Sequence, residues 1–258
     1  MKILKEMWQY REMVRSLVKR DLKSRYKGSV LGFLWMFLNP LLQLFVYTVV
    51  FSVIMRMNIE KYYLFLFVAL IPWTFFSVCL SAGANVVVMQ QDMVKKIYFP
   101  REVLPVSFVT AQLVNMLLSF VVVFAVILIS GTKVSVAALL FLPLVIMIEY
   151  ILALGLTLMV SALTVYFRDL EHIISILAMA WMYLTPVMYP VEMVPERFVR
   201  LFYLNPMAPV IIAYRDILYY GQVPRMRNLI LSSAAGGIVL VLGCLVFRCM
   251  QRHFIEEL

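Results

Sequence analysis

Hydrophobic residues along this chain come in six long runs separated by short polar breaks. The runs are roughly Val30–Met55, Tyr63–Met89, Val103–Ser130, Val134–Phe167, Ile173–Tyr189 and Leu229–Phe247. A helix that crosses a bilayer takes about 20 apolar residues, so the pattern predicts six membrane-spanning helices. The fourth run is long enough to tilt or to project beyond the bilayer. Ahead of the first run the period changes. Tyr10, Met13, Val14, Leu17, Val18 and Leu22 fall on one helical face, and Arg11, Arg15, Lys19, Lys23 and Lys27 recur every four residues on another. That spacing predicts an amphipathic helix lying at the membrane interface. Gly28 and Gly32 then let the chain bend into the first span.

The breaks between runs carry their own signals. Residues 190–227 are rich in proline and aromatics and predict two short amphipathic helices that re-enter the bilayer or lie on its outer boundary. One opens at Pro195 and stops before Pro206, and the other runs from Pro209 to about Tyr219. The domain reading is a single transmembrane unit. Residues 1–29 form the interface helix, 30–247 a six-helix bundle and 248–258 a tail, all of it α-helical. Of the 23 Lys and Arg, 15 fall on the side of the termini and 8 on the other. The positive-inside rule places both termini in the cytoplasm.

Composition agrees. The chain of 258 residues is 64% hydrophobic and 14% charged, with mean hydropathy +0.94, whereas soluble domains run near 45–50% apolar and about 25% charged. The net charge of +9 fits orientation and anionic lipid rather than nucleic acid. Cys79, Cys244 and Cys249 offer no disulfide framework and read as inert thiols. No cleavable signal peptide is visible.

Catalytic signatures are missing. No glycine pair has the P-loop spacing with its lysine, so ATP hydrolysis is not expected in this chain. His172 and His253 sit apart from any cysteine or carboxylate cluster, which argues against a metal site. Glu149 is the clear ionisable group inside a run and is expected to face other helices or water. With Asp169 and Glu171 it leaves open a membrane-embedded enzyme acting on a lipid carrier. Gln43, Gln112 and Asn115 are expected to make interhelical hydrogen bonds. Ser232, Ser233, Gly236 and Gly237 predict a close packing face on the last span.

The break KKIYFPREVLP, residues 95–105, stands between the second and third runs. Upstream, Val86, Met89, Met93 and Ile97 are spaced as an apolar helical face, with Gln90, Gln91, Lys95 and Lys96 on the polar side. Pro100 is expected to end that helix and Pro105 to open the next span. The residues alone fit either a plain loop or a docking element.

Four segments together resemble the permease subunits of ABC exporters for polysaccharides and teichoic acids: RYKGSVLGFLWMFLNPL (25–41), YFPREVLPV (98–106), YFRDLEHI (166–173) and NPMAPVIIAYRDILYYGQVP (205–224). The resemblance covers nearly the whole chain in order. It implies a homodimer in the bacterial inner membrane, paired with two separate ATP-binding cassette subunits that hold ATP and magnesium. No cofactor is expected in this chain. The cargo it implies is a lipid-linked glycan: O antigen, capsule or teichoic acid. A related permease for a smaller lipid or drug is the alternative. By the same resemblance, Gln90, Gln91, Lys95, Lys96, Tyr98, Phe99, Pro100, Arg101 and Glu102 form a coupling element against the ATPase. Arg11, Arg15, Lys19, Lys23 and Arg25 belong to a helix that also meets it. The path is expected between protomers, along spans one and five, with Trp35, Phe37, Tyr47, Phe51, Trp181, Met182 and Tyr183 as lining candidates. Phe198, Phe202, Tyr203 and Tyr214 are candidates for the outer gate. Asn39-Pro40 is expected to kink span one.

Overall fold

The computed structural model describes residues 8–26, 32–54, 59–195, 197, 202 and 204–258, with all of their side chains except those at 25, 26, 33, 36, 53 and 54. Among the described residues every regular element is helical. Nine helices carry the architecture: α1 (Arg11–Tyr26), α2 (Trp35–Thr48), α3 (Tyr62–Ala84), α4 (Gln91–Lys96), α5 (Val103–Ile129), α6 (Leu142–Tyr166), α7 (Leu170–Leu184), α8 (Met207–Leu218) and α9 (Met226–Met250). One-turn helices, Val136–Leu139 and Phe254–Glu257, precede α6 and follow α9.

Each of the six apolar runs contains a helix. Among the described residues four helices are long and apolar enough to cross a membrane: α3, α5, α6 with the turn before it, and α9 with the turns after it. The first and fifth runs hold the shorter apolar helices. In the first, Pro40 lies inside α2 without ending it, and α2 passes directly into a π-helical segment, Val49–Ile54. The fourth run does not form one straight helix. It breaks at Leu140–Phe141, and α6 restarts with Pro143 in its first turn, where a missing N–H costs no intrahelical bond.

Helix α3 is the hub of the bundle, buried along most of its length from Leu64 to Leu80. Thr157 on α6 donates its hydroxyl to the Cys79 carbonyl of α3 at 2.9 Å. The most extensive helix pair is α6 with α9, and glycine makes it possible. A Cβ on Gly155 would fall 2.6 Å from the Leu240 backbone, and one on Gly243 would fall 2.1 Å from the Gly155 carbonyl oxygen. The small-residue face expected on the last span is therefore only half right. Ser232 and Gly236 do face α6, but Ser233 is exposed and Gly237 meets open space. The tightest approach is seven residues on from Gly236, two helical turns along the same face.

A first hydrophobic core joins α3, α5, α6 and α8. A second, smaller one sits at the end of the bundle that holds α1 and α4.

Candidate functional site

At that second core the chain builds a collar around the KKIYFPRE segment. Helix α1 lies as its period predicts. Tyr10, Met13, Val14 and Leu17 pack on the core, while Arg11, Arg15, Lys19 and Lys23 are exposed. Glu12 pairs with Arg15 at 2.6 Å and with Arg11 at 3.7 Å. The backbone of Arg25 continues α1 and its side chain lies outside the described residues.

The KKIYFPRE segment and the helix before it depart from the expected register. Helix α3 does not run on to Ile97; it ends at Ala84, and a turn at Asn85–Val87 and a 3-10 turn at Val88–Gln90 precede α4. That interruption rotates the apolar face. Met89 and Ile97, expected inward, are 74% and 56% exposed, whereas Val86, Val87, Val94 and Phe99 are buried. Val94 and Phe99 therefore anchor the segment from below. Gln91, Lys95, Lys96 and Tyr98 stand outward, Tyr98 almost fully exposed. Pro105 falls in the first turn of α5, as expected, while α4 stops at Lys96, four residues before Pro100.

Two of the expected docking residues face inward instead. Phe99 belongs to the second core, and Glu102 is buried beneath the C-terminal tail. Gln251 donates Nε2 to Glu102 Oε1 at 3.1 Å, and Arg248 Nε stands 3.6 Å from the same oxygen. Arg101 donates to the Gln251 carbonyl and lies over the Phe254 ring. Tyr166, at the end of α6, donates to the Met250 carbonyl at 2.8 Å. Arg20 on α1 donates to Gln90 Oε1 at 2.9 Å. The segment is thus tied to α1, to α6 and to the tail after α9. The spacing of KKIYFPRE carried no sign of the tail's part, because its partners lie some 150 residues away. Together they border a cavity of about 950 Å³, rimmed by Lys95, Lys96, Arg101, Arg248 and Arg252, with Glu102 as the carboxylate.

The opposite end is knotted around Arg215. This guanidinium is 3% exposed and donates to the carbonyls of Val187 at 2.6 Å, Tyr189 at 3.2 Å and Phe65 at 3.4 Å, with the Phe65 ring 3.6 Å away. Tyr62 donates to the Met188 carbonyl at 2.8 Å. Asn205 donates to Thr185 Oγ1 at 2.9 Å and accepts from Trp181 Nε1 at 2.9 Å. These bonds latch the turn after α7.

Helix α8 was expected to be amphipathic and to re-enter the bilayer or lie on its boundary. It is buried on nearly every side, against α3, α6 and α9. Tyr214, a gate candidate, is fully buried; it donates to Glu149 Oε2 at 2.6 Å and stacks on Phe120. In this structure it is a strut between α8 and α6. Asp216 is half-buried beyond it, and desolvation pushes its carboxyl up to about 6 against the pull of Arg225. Phe202 is buried beside Trp181 on an apolar groove of about 830 Å³. Phe198 and Tyr203 lie outside the described residues.

The path candidates separate. Trp181 has both its N–H and its ring engaged within the protomer, the ring edge-on to Phe76. Tyr47 and Phe51 pack on the first core, Phe37 and Met182 are half-buried, and Trp35 and Tyr183 are exposed. Glu149 and Asp169 do not converge: Glu149 sits 17 residues before the end of α6 at Tyr166, about 25 Å at the helical rise. Among the described residues no three potential metal ligands cluster.

Comparison with known proteins places this geometry. Residues 12–219 match the ABC-2 type transporter family. The chain is 37% identical to the O-antigen export system permease protein RfbA of Myxococcus xanthus, over 100% of this chain and 99% of that one. It is 32% identical to the protein of the same name from Klebsiella pneumoniae, over 94% and 93%. To the polysialic acid transport protein KpsM of Escherichia coli it is 22% identical, over 95% of each. The match spans α1, the KKIYFPRE segment and the Arg215 knot alike, and the chain belongs to the ABC-2 type transporter family.

Proposed function

We propose that this chain is the permease subunit of an ATP-driven exporter that moves a lipid-linked polysaccharide across the bacterial inner membrane. It works as a homodimer with two ATP-hydrolysing subunits, which carry the nucleotide and magnesium. The chain itself makes and breaks no covalent bond.

Six helices cross the bilayer in this reading: α2, α3, α5, α6, α7 and α9. The 14 residues of α2 and the 6 of the π segment together rise about 30 Å, the thickness of a bilayer's hydrocarbon core. Helix α7 has 15 residues and reaches the far boundary through its latched turn. Both termini face the cytoplasm, together with α1 and α4.

One observation carries the reading. In a chain related end to end to O-antigen export permeases, Lys95, Lys96 and Tyr98 stand exposed on a base anchored by Val94 and Phe99. A partner that pushes on this tip moves the ends of α3 and α5 together, because the six-residue helix between them is short and tied down. A floppy loop would absorb the push. ATP binding and release in the partner would thus open and close the path between protomers.

The test is deletion of the gene in a glycan-producing bacterium. Loss of surface polysaccharide with build-up of lipid-linked glycan inside, restored by the intact chain, is the expected result. Unchanged surface polysaccharide would overturn the proposal.

A further inference from the structure

Midway along the bundle, α2, α3 and α5 line a cavity of about 220 Å³ that is open on the side of Asn39 and Gln43. Each helix turns one face to it, at spacings of three or four residues: Asn39 and Gln43 from α2, Thr74 from α3, Gln112, Asn115 and Ser119 from α5. On α5 the stretch from Gln112 to Ser119 leaves about 14 Å of helix on either side of it, so the cavity sits near the middle of the hydrocarbon layer.

Gln112 was expected to bridge helices. It is 4% exposed, yet its Nε2 has no hydrogen-bond partner, and its Oε1 meets only Asn115 of the same helix, at 3.5 Å. A buried amide without a partner is costly, and in lipid surroundings it finds none. The Thr74 and Ser119 hydroxyls donate to their own helices and keep lone pairs for a donor in the cavity. Trp35 and Phe75 supply aromatic surface at the walls.

We infer that this cavity is a subsite for one uncharged sugar residue of the glycan in transit. The inference rests on the proposed export function. Among the described residues no ionisable side chain borders the cavity, which disfavours a phosphate or a charged headgroup. The volume is below the ~300–1,000 Å³ of pockets for drug-sized ligands and suits a single ring. A lipid tail would leave the Gln112 amide unsatisfied. Water alone would satisfy it but gains nothing from Trp35 and Phe75. A sugar ring uses both, its hydroxyls toward the amides and its C–H face on the aromatics.

The test is photocrosslinking in glycan-producing cells with p-azidophenylalanine in place of Gln43, at the exposed rim, or of Thr74 on the facing helix. Leu128, 80% exposed on α5, is the control position. The expected result is a ladder of glycan-bearing permease from the cavity positions and none from the control. Adding Gln112→Leu should cut the ladder about fivefold, the weight of one neutral hydrogen bond. Surface glycan is measured in the same cells. Normal export with only lipid adducts, or with water-quenched probe and no glycan, would overturn the subsite and leave the export reading intact. Failure of the unsubstituted chain to restore export to a deletion strain would remove both.

Discussion

The two ends of the bundle treat polar side chains in opposite ways. At the collar, Lys95, Lys96, Lys19 and Lys23 point outward and apolar residues beneath them hold the shape. At the far end, Arg215 and Tyr214 point inward and are themselves the fastening. Exposed charges contribute little to stability, so the collar's lysines are free to serve a partner. Buried polar groups are expensive to orphan, so those of the far end are committed to the fold. Substitutions should therefore cost stability at one end and coupling at the other.

The largest stability effect is expected at Arg215. Arg215→Met removes the donor to three carbonyls and should lower stability by about 2–4 kcal/mol, read as thermal unfolding of the purified permease in detergent. Arg215→Lys should recover only part of this, because one ammonium cannot reproduce the guanidinium fork. A neutral outcome would mean that the latch after α7 is held by other contacts.

Next comes Tyr214→Phe, which leaves Glu149 Oε2 without its 2.6 Å donor beside an Oε1 that already lacks one. A loss of about 1–2 kcal/mol is expected in the same assay.

Within the collar, Glu102→Ala should cost about 1 kcal/mol and expose the tail after Met250 to protease, since Gln251 and Arg248 converge on that carboxylate. Asp92→Ala, which removes an exposed pair with Lys96, should stay within about 0.5 kcal/mol. Equal effects at Glu102 and Asp92 would erase the distinction between anchor and rim.

A different kind of effect is a pH dependence. The folded chain holds the Asp216 proton up to about 6, while an unfolded chain releases it near 3.9. Below the unfolded value both states are protonated. As pH rises from about 4 to about 6 the folded state binds more protons, so stability falls across that window. Asp216→Asn should flatten this part of the curve.

What the sequence revealed follows the same division. The face of α1 was legible because exposed arginines and lysines alternate with apolar residues at helical period, and one side meets the bundle. The six apolar runs were legible for the same reason, since lipid and core both demand them. Helix α8 was legible as a helix from Pro209 to about Tyr219, but its burial was not, because Tyr214 and Arg215 find partners far away in the chain. The register of α4 was misread because nothing in AGANVVVMQQ marks the turn at Asn85–Val87 strongly enough to break the apparent period. The interlock of Gly155 with Gly243 was hidden because Gly155 stands alone in its run and Gly243 lies seven residues beyond Gly236, outside the small-residue spacing that drew attention to the last span. Gln112 and Asn115 were read as makers of interhelical hydrogen bonds, but their shared cavity depends on faces from three helices.

The most direct measurement of the central claim is affinity purification of the tagged permease from its native membranes, comparing the intact chain with Lys95→Glu, Lys96→Glu. Both lysines are exposed, so folding should be unchanged. The account predicts that an ATP-hydrolysing subunit co-purifies in stoichiometric amount with the intact chain and that the double variant loses it or uncouples its activity from export. An intact chain that purifies without an ATPase, or a charge-reversed variant that binds and exports normally, would contradict the docking role of the KKIYFPRE tip.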